Sequence, residues 1–128
     1  MLYKRQARHA ELCILRVTAA VLDLPGVVIA DQNAASDYVR FRPAPAGLDM
    51  IDHEQLFAES WIHPDDHIAT LRHRSRKCAE VLVPGRVAPE LILGAYVSGE
   101  RGRAALLQVA PGLPVDVDGY LFFQARRP

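Results

Sequence analysis

Only two of the 128 residues are cysteines, Cys13 and Cys78, far apart and in apolar settings. That count excludes a disulfide framework and predicts two buried free thiols in a reducing cytoplasm. No stretch approaches the roughly 18 apolar residues of a membrane span. The opening "MLYKRQARHAEL" lacks the apolar core of a signal peptide, so a cytoplasmic protein without a membrane partner is expected. Net charge is also missing. Basic and acidic residues number 15 each, so only local clustering can speak for or against nucleic acid. There is no internal repeat, no Ser-His-Asp signature and no phosphate-cradling glycine pattern in a strand–loop–helix setting.

Half of the residues are apolar and 23% are charged, an ordinary globular balance. The length fits one domain over residues 1–128. Thirteen of the fifteen basic residues are arginine.

"MLY" reads as a strand end. "LCILRV" (12–17) and "VVIA" (27–30) read as strands, separated by a short helical turn and a Pro25-Gly26 turn. Asp31 or Asn33 can cap a short helix through Ala34 and Ala35. "RPAPAG" follows as an irregular loop. Asp52 and Gln55 form a capping-box pattern, which predicts a helix over about 52–62 with Phe57 and Trp61 on its buried face. "DDHIATLRHRSRK" reads as an exposed helix with a basic end. "AEVLV", "LGAYV", "AALLQV" and "GYLFFQA" are strand candidates. "SGERGR" and "APGLPVDVDG" read as connections between them, and Pro89 suits the first position of a helical turn. The sum is an α+β protein with about six strands in a mostly antiparallel or mixed sheet, its helices in the first two-thirds.

Three features bear on chemistry. His63, His67 and His73 lie near Asp65 and Asp66, but the charged, proline-bearing context matches no standard zinc motif. Solvated surface is the preferred reading, with no metal. Arg72, Arg74, Arg76 and Lys77 crowd into six residues, and Tyr38, Arg40, Phe41 and Arg42 form a second patch. Arginine beside aromatics suits single-stranded nucleic acid, although such runs are usually just solvated. Glu80 opens an apolar run. It is either a surface residue on an edge strand or a carboxylate facing a cleft, where it could accept a ribose hydroxyl and stabilise developing positive charge. A burial cost attaches to an unpaired carboxylate there.

The blocks "MLY", "GVVIADQNAASDYVRF", "LDMIDHEQLFAESW" and "RSRKCAEVLVPGRVAPELI" occur in one order and spacing. In these the chain resembles the DarT-type ADP-ribosyltransferases, the toxin half of a toxin–antitoxin pair. The resemblance covers about residues 26–97. It implies the ADP-ribosyltransferase fold, a split mixed or antiparallel sheet with a few short helices. It also implies NAD as co-substrate, transfer of ADP-ribose to thymine bases of single-stranded DNA, and an antitoxin partner. Glu80 matches the catalytic glutamate, and the segment from Asn33 to Ala79 the substrate-reading loop. Arg40, Arg42, Arg74, Arg76 and Lys77 become its DNA contacts, and Asn33 and Tyr38 loop organisers or base contacts. The family's N-terminal half, with its NAD-holding histidine and catalytic arginine, has no counterpart here. Lysine-cysteine replaces arginine-glutamine before "AE", and Gln32 replaces a glycine. The expectation is therefore an incomplete, C-terminal portion of the domain, with little transfer by the 128 residues alone. The alternatives are an inactive remnant that binds single-stranded DNA or an antitoxin, and a small structural domain in which Glu80 is an ordinary edge residue.

Overall fold

A computed structural model describes residues 8–124. The "MLY" block lies outside the described residues. The contacts gather into two compact units, one made of the chain up to Thr18 and from Ala88 onward, the other of Ala19–Val87.

In the first unit, β1 (Cys13–Val17) pairs antiparallel with β5 (Ile92–Val97), which pairs in parallel with β6 (Val115–Val117). Two neighbouring strands can run parallel only if a crossover joins them. Helix α3 (Glu100–Val109) supplies it. The strand expected at "AALLQV" is therefore the body of a helix, and "SGERGR" is its start rather than a hairpin tip. Alanine, leucine, glutamine and arginine are strong helix formers. Buried Gly102 explains the one poor helix former among them. A Cβ there would sit 3.3 Å from the Ala10 carbonyl oxygen and 3.4 Å from Val97 Cβ, so glycine is what lets α3 lie close to β5. The strand expected at "GYLFFQA" is instead a 3₁₀ turn, Gly119–Phe122, opened by Asp118 accepting from the Tyr120 N–H at 3.0 Å. Phe122 is fully buried with Ala95 and Val97, and His9 meets its ring edge-on. Strand β1 lies at the sheet edge with alternate residues exposed, Cys13 among them, so neither the strand nor this thiol is buried as expected. Arg16 fastens the sheet across its strands. It lies over the Tyr96 ring and pairs with Asp116 at 3.3 Å.

In the second unit, β2 (Val28–Ala30) runs antiparallel between β3 (Phe41–Pro43) and β4 (Glu80–Leu82). Ala30 faces Phe41 on one side and Glu80 on the other. Ile29 and Ala30 are buried, with Val21 and Val27. Part of the expected "RPAPAG" loop is thus strand. Pro43 is tolerated because β3 is an edge, where a missing N–H leaves no ladder bond unmade. A 3₁₀ turn, Ala46–Met50, follows. Gly47 in it packs so tightly on the sheet that a Cβ would fall 2.8 Å from Ile29 Cβ and 2.9 Å from the Arg42 carbonyl oxygen.

Helix α1 covers only His53–Phe57. Asp52 caps it as expected, accepting from the Gln55 N–H at 3.0 Å. Phe57 is 76% exposed and Trp61 lies beyond the helix end, so the two do not share a buried helix face. Helix α2 (His67–Arg76) has the expected basic end and is capped by Asp66. Pro89 opens a 3₁₀ turn, Pro89–Leu91, that leads into β5. Among the described residues there are six strands, against the expected about six, but two of them occupy different segments and a helix falls in the last third. The class is α+β, with one mixed and one antiparallel sheet. Among the described residues, no helix is long and apolar enough to cross a membrane.

Candidate functional site

The site grows from the loop that leaves β2. Residues 31–40 were expected to carry a short helix. They form a closed loop of turns instead, because the two ends are clasped together. The Asp31 N–H donates to the Arg40 carbonyl at 3.2 Å. Arg40 returns its backbone N–H to Asp31 Oδ1 at 2.9 Å and its Nε to Oδ2 at 2.6 Å. Burial pushes the Asp31 carboxyl up, but the Arg40 backbone and guanidinium hydrogen bonds, Arg40's charge and that of Arg76 outweigh it and hold the group below its ordinary value. Arg40, assigned from sequence to DNA, is thus the loop's clasp, although its side chain remains 69% exposed.

Asn33 organises the middle of the loop. Its N–H donates to the Ser75 carbonyl at the end of α2 at 3.1 Å. Its Oδ1 accepts from the Ala35 N–H at 2.9 Å, an Asx-type turn. The turn leaves the intervening Ala34 N–H free to donate to Oε2 of Glu80 at 3.0 Å. Glu80 opens β4, as expected, and its side chain is exposed rather than buried. Among the described residues Oε1 has no partner. The arrangement is a carboxylate oriented through one oxygen and available through the other.

Helix α2 delivers Glu80 directly. Backbone bonds from Cys78 to Ser75 and from Ala79 to Arg76, each 3.0 Å, turn the chain from the helix end into β4. Cys78 is half-buried; burial first, and the Glu80 charge second, raise its thiol above the ordinary value.

The cations divide into two sets. Lys77 donates through Nζ to the carbonyls of Leu56, at 3.1 Å, and Ala58, which tethers the end of α1. Arg76 donates to Gln55 Oε1 at 3.0 Å and lies 3.7 Å from Asp52 Oδ2. Both hold α1 against α2. Arg42, Arg72 and Arg74 are exposed and, among the described residues, make no ion pair. The exposed Tyr38 ring stands 86% accessible at the tip of the loop.

An open cavity of about 820 Å³ lies between this loop and α2, lined by Tyr38, Arg40, Ile68, Leu71, Arg72 and Arg76 among others. Glu80 does not line it. The cavity walls come from three segments, within 31–40, 50–52 and 68–76, and no local signal joins them.

Of the three histidines, His63 and His67 are exposed, as the solvated-surface reading expected, and His73 departs from it. His73 is buried. Its Nε2 lies 2.9 Å from the Gln55 carbonyl and its Nδ1 3.1 Å from His63 Nε2. A carbonyl only accepts, so Nε2 carries a hydrogen; in the neutral ring Nδ1 then accepts from His63. The Gln55 contact joins α2 to α1, and the His63 contact ties α2 to the segment between the two helices.

Residues 1–116 match the protein family described as DarT, ssDNA thymidine ADP-ribosyltransferase. No curated protein matches the chain. Among solved structures, Thermosipho africanus DarTG in complex with ADP-ribose is similar at a TM-score of 0.74 and 23% identity, over 99% of this chain and 34% of that one. Thermus sp. 2.9 DarT in complex with ADP-ribosylated ssDNA is similar at 0.73 and 21% identity, over 93% of this chain and 61% of that one. The same Thermus protein in complex with NAD+ gives 0.68 and 23%, over 99% and 61%. The chain therefore spans between 34% and 61% of the length of these relatives. At such identities the likeness establishes a shared fold. With 116 of its 128 residues matched, the chain belongs to the DarT family of ssDNA thymidine ADP-ribosyltransferases.

Proposed function

We propose that this chain carries the glutamate side of a centre that transfers ADP-ribose from NAD to a thymine base in single-stranded DNA. The observation that supports this most is the oriented carboxylate of Glu80, held through Oε2 by the Ala34 N–H with Oε1 left free. Such a group suits a ribose hydroxyl. NAD supplies the ADP-ribosyl group: the bond from ribose to nicotinamide breaks, the bond from ribose to a base nitrogen forms, and nicotinamide leaves. Glu80 holds the ribose hydroxyl, places negative charge beside the positive charge that develops on the sugar, and takes the proton from the base nitrogen. Arg42, Arg72 and Arg74 attract the strand's phosphates, and Tyr38 offers a stacking face. The family resemblance also assigns an antitoxin partner, and one of the structural relatives is a DarTG.

The test uses the protein encoded by the full reading frame, incubated with NAD and a thymine-containing single strand and resolved by gel shift. Glu80→Gln keeps size and hydrogen bonding but loses the charge and the base. Loss of one preorganised electrostatic contact costs about 10² to 10³ in rate, and loss of the general base a further factor of about 10² to 10⁴. Transfer should vanish while strand binding persists. Equal modification with and without the carboxylate would refute the role. Strand binding by the wild type with no transfer would identify a DNA-binding remnant instead.

A further inference from the structure

We infer that His63 and His73 form a two-histidine site for a divalent transition-metal ion, with water in the ion's remaining positions. The inference is independent of the proposed function and uses none of its residues.

His63 Nε2 and His73 Nδ1 stand 3.1 Å apart, with ring centroids 5.3 Å apart and planes tilted by 45°. Metal–nitrogen bonds of about 2.0 to 2.1 Å, meeting between a right angle and the tetrahedral angle, set two nitrogens about 2.8 to 3.4 Å apart. The pair thus already spans one edge of a coordination shell. The other two ring nitrogens are placed as a site requires. His73 Nε2 donates to the Gln55 carbonyl at 2.9 Å, the outer contact that fixes a ligating ring's tautomer and orientation. His63 is exposed, so its ring hydrogen can pass through solvent from Nε2 to Nδ1 and leave the Nε2 lone pair to the ion. No net proton is released by neutral rings.

His63 lies outside α2, yet its backbone is fixed to that helix. Its N–H donates to Thr70 Oγ1 at 2.9 Å, and the Thr70 hydroxyl donates to the His63 carbonyl at 3.2 Å. Thr70 and His73 are three residues apart on α2, and so neighbours on its surface. Both ligands are therefore carried by one helix, and folding has ordered them before an ion arrives. The sequence shows no zinc spacing because His63 reaches His73 only through this clasp. Among the described residues no third histidine, cysteine, aspartate or glutamate joins the pair. Two imidazoles with water suit Zn²⁺, Ni²⁺ or Cu²⁺ and do not suit Mg²⁺ or Ca²⁺, which take oxygen ligands. An ion here replaces the hydrogen between the rings and clips residue 63 to α2.

The test is isothermal titration of the protein encoded by the full reading frame with Zn²⁺ and with Mg²⁺, and thermal melts in each ion. The wild type should bind Zn²⁺ and gain Tm, since an ion that binds only the folded state stabilises it. Mg²⁺ should do neither. His63→Gln, at an exposed position, should lose this binding and the Tm gain. Thr70→Val leaves both rings in place and should weaken Zn²⁺ binding by about 10- to 100-fold, the range for outer contacts of a metal site. His67→Ala removes an exposed histidine outside the pair and should bind as the wild type does. Co²⁺ in place of Zn²⁺ should give a visible spectrum that His63→Gln abolishes, without the thiolate band that binding at exposed Cys13 would produce. A wild type that binds no Zn²⁺ would overturn the site. So would equal binding after His63→Gln, unchanged affinity in Thr70→Val, or loss of binding in His67→Ala, which would mark scattered surface histidines instead.

Discussion

The backbone N–H of Ala34 donates to Oε2 of Glu80 at 3.0 Å, across 46 positions of the chain. Asn33 makes this possible by turning the loop with its own side chain. Asn33, expected as a loop organiser or a base contact, organises the loop in the structure, and we propose that it thereby positions the carboxylate. Asn33→Ala should lower kcat by up to about 10²-fold, the cost of misplacing a reacting group by an ångström, with KM for the strand little changed. Asn33→Asp keeps the accepting oxygen and should restore most of the rate. Equal loss in both variants, or a change confined to KM, would return Asn33 to direct DNA contact.

Salt dependence should separate the two sets of cations. Arg42, Arg72 and Arg74 make no ion pair among the described residues, whereas Lys77 is engaged with the Leu56 and Ala58 carbonyls. Each of Arg42→Gln and Arg74→Gln should reduce the slope of log affinity against log salt by about 0.7. Lys77→Met should leave the slope unchanged and lower Tm, since it frees the end of α1. A slope change in Lys77→Met alone would invert this assignment.

Asp31 makes part of the protein's stability pH-dependent. Its carboxyl is held below its ordinary value in the folded state, because the Arg40 hydrogen bonds and the charges of Arg40 and Arg76 outweigh burial. The folded state therefore releases this proton more readily than the unfolded state. The resulting stability is fully present above the unfolded carboxylate pKa of about 3.9 and is lost as pH falls through the lower folded value. Thermal melts of wild type and Asp31→Asn should differ most near neutrality and converge in acid. A gap that is constant with pH would show that the clasp works without its charge.

The two thiols should react at different rates. Cys13 is exposed, whereas Cys78 is half-buried and its thiol is raised by burial and by Glu80. At mildly alkaline pH, alkylation followed by mass spectrometry should label Cys13 first. Glu80→Gln should speed labelling of Cys78, because the smaller of the two causes is removed. Faster labelling of Cys78 in the wild type would contradict this environment.

Much of the architecture was legible because its causes are local. The Asp52 cap needs only a carboxylate three residues before a free N–H. Pro89 at the head of a 3₁₀ turn needs only its own ring geometry. Glu80 at the start of a strand followed from the apolar run behind it. The family blocks reported Glu80 and the loop in order along the chain, and their sum identified the family before any coordinate did.

What stayed hidden depended on partners distant in sequence. Phe41–Pro43 is a strand only because β2 offers it an edge, and Val115–Val117 only because β5 does. "AALLQV" is apolar enough for either state. The parallel β5–β6 pair demands a crossover, and the helix follows. The charge of Arg40, Arg76 and Lys77 was plain, but not its use, since Asp31, Gln55 and the α1 carbonyls reach them only through the fold. His73 looked solvated until packing placed it under the Gln55 carbonyl. Composition and spacing thus determined which groups this protein carries and where its local elements begin. Tertiary contact decided which of those groups are spent on structure and which remain free, because a side chain's partner is set by distance in space and not along the chain.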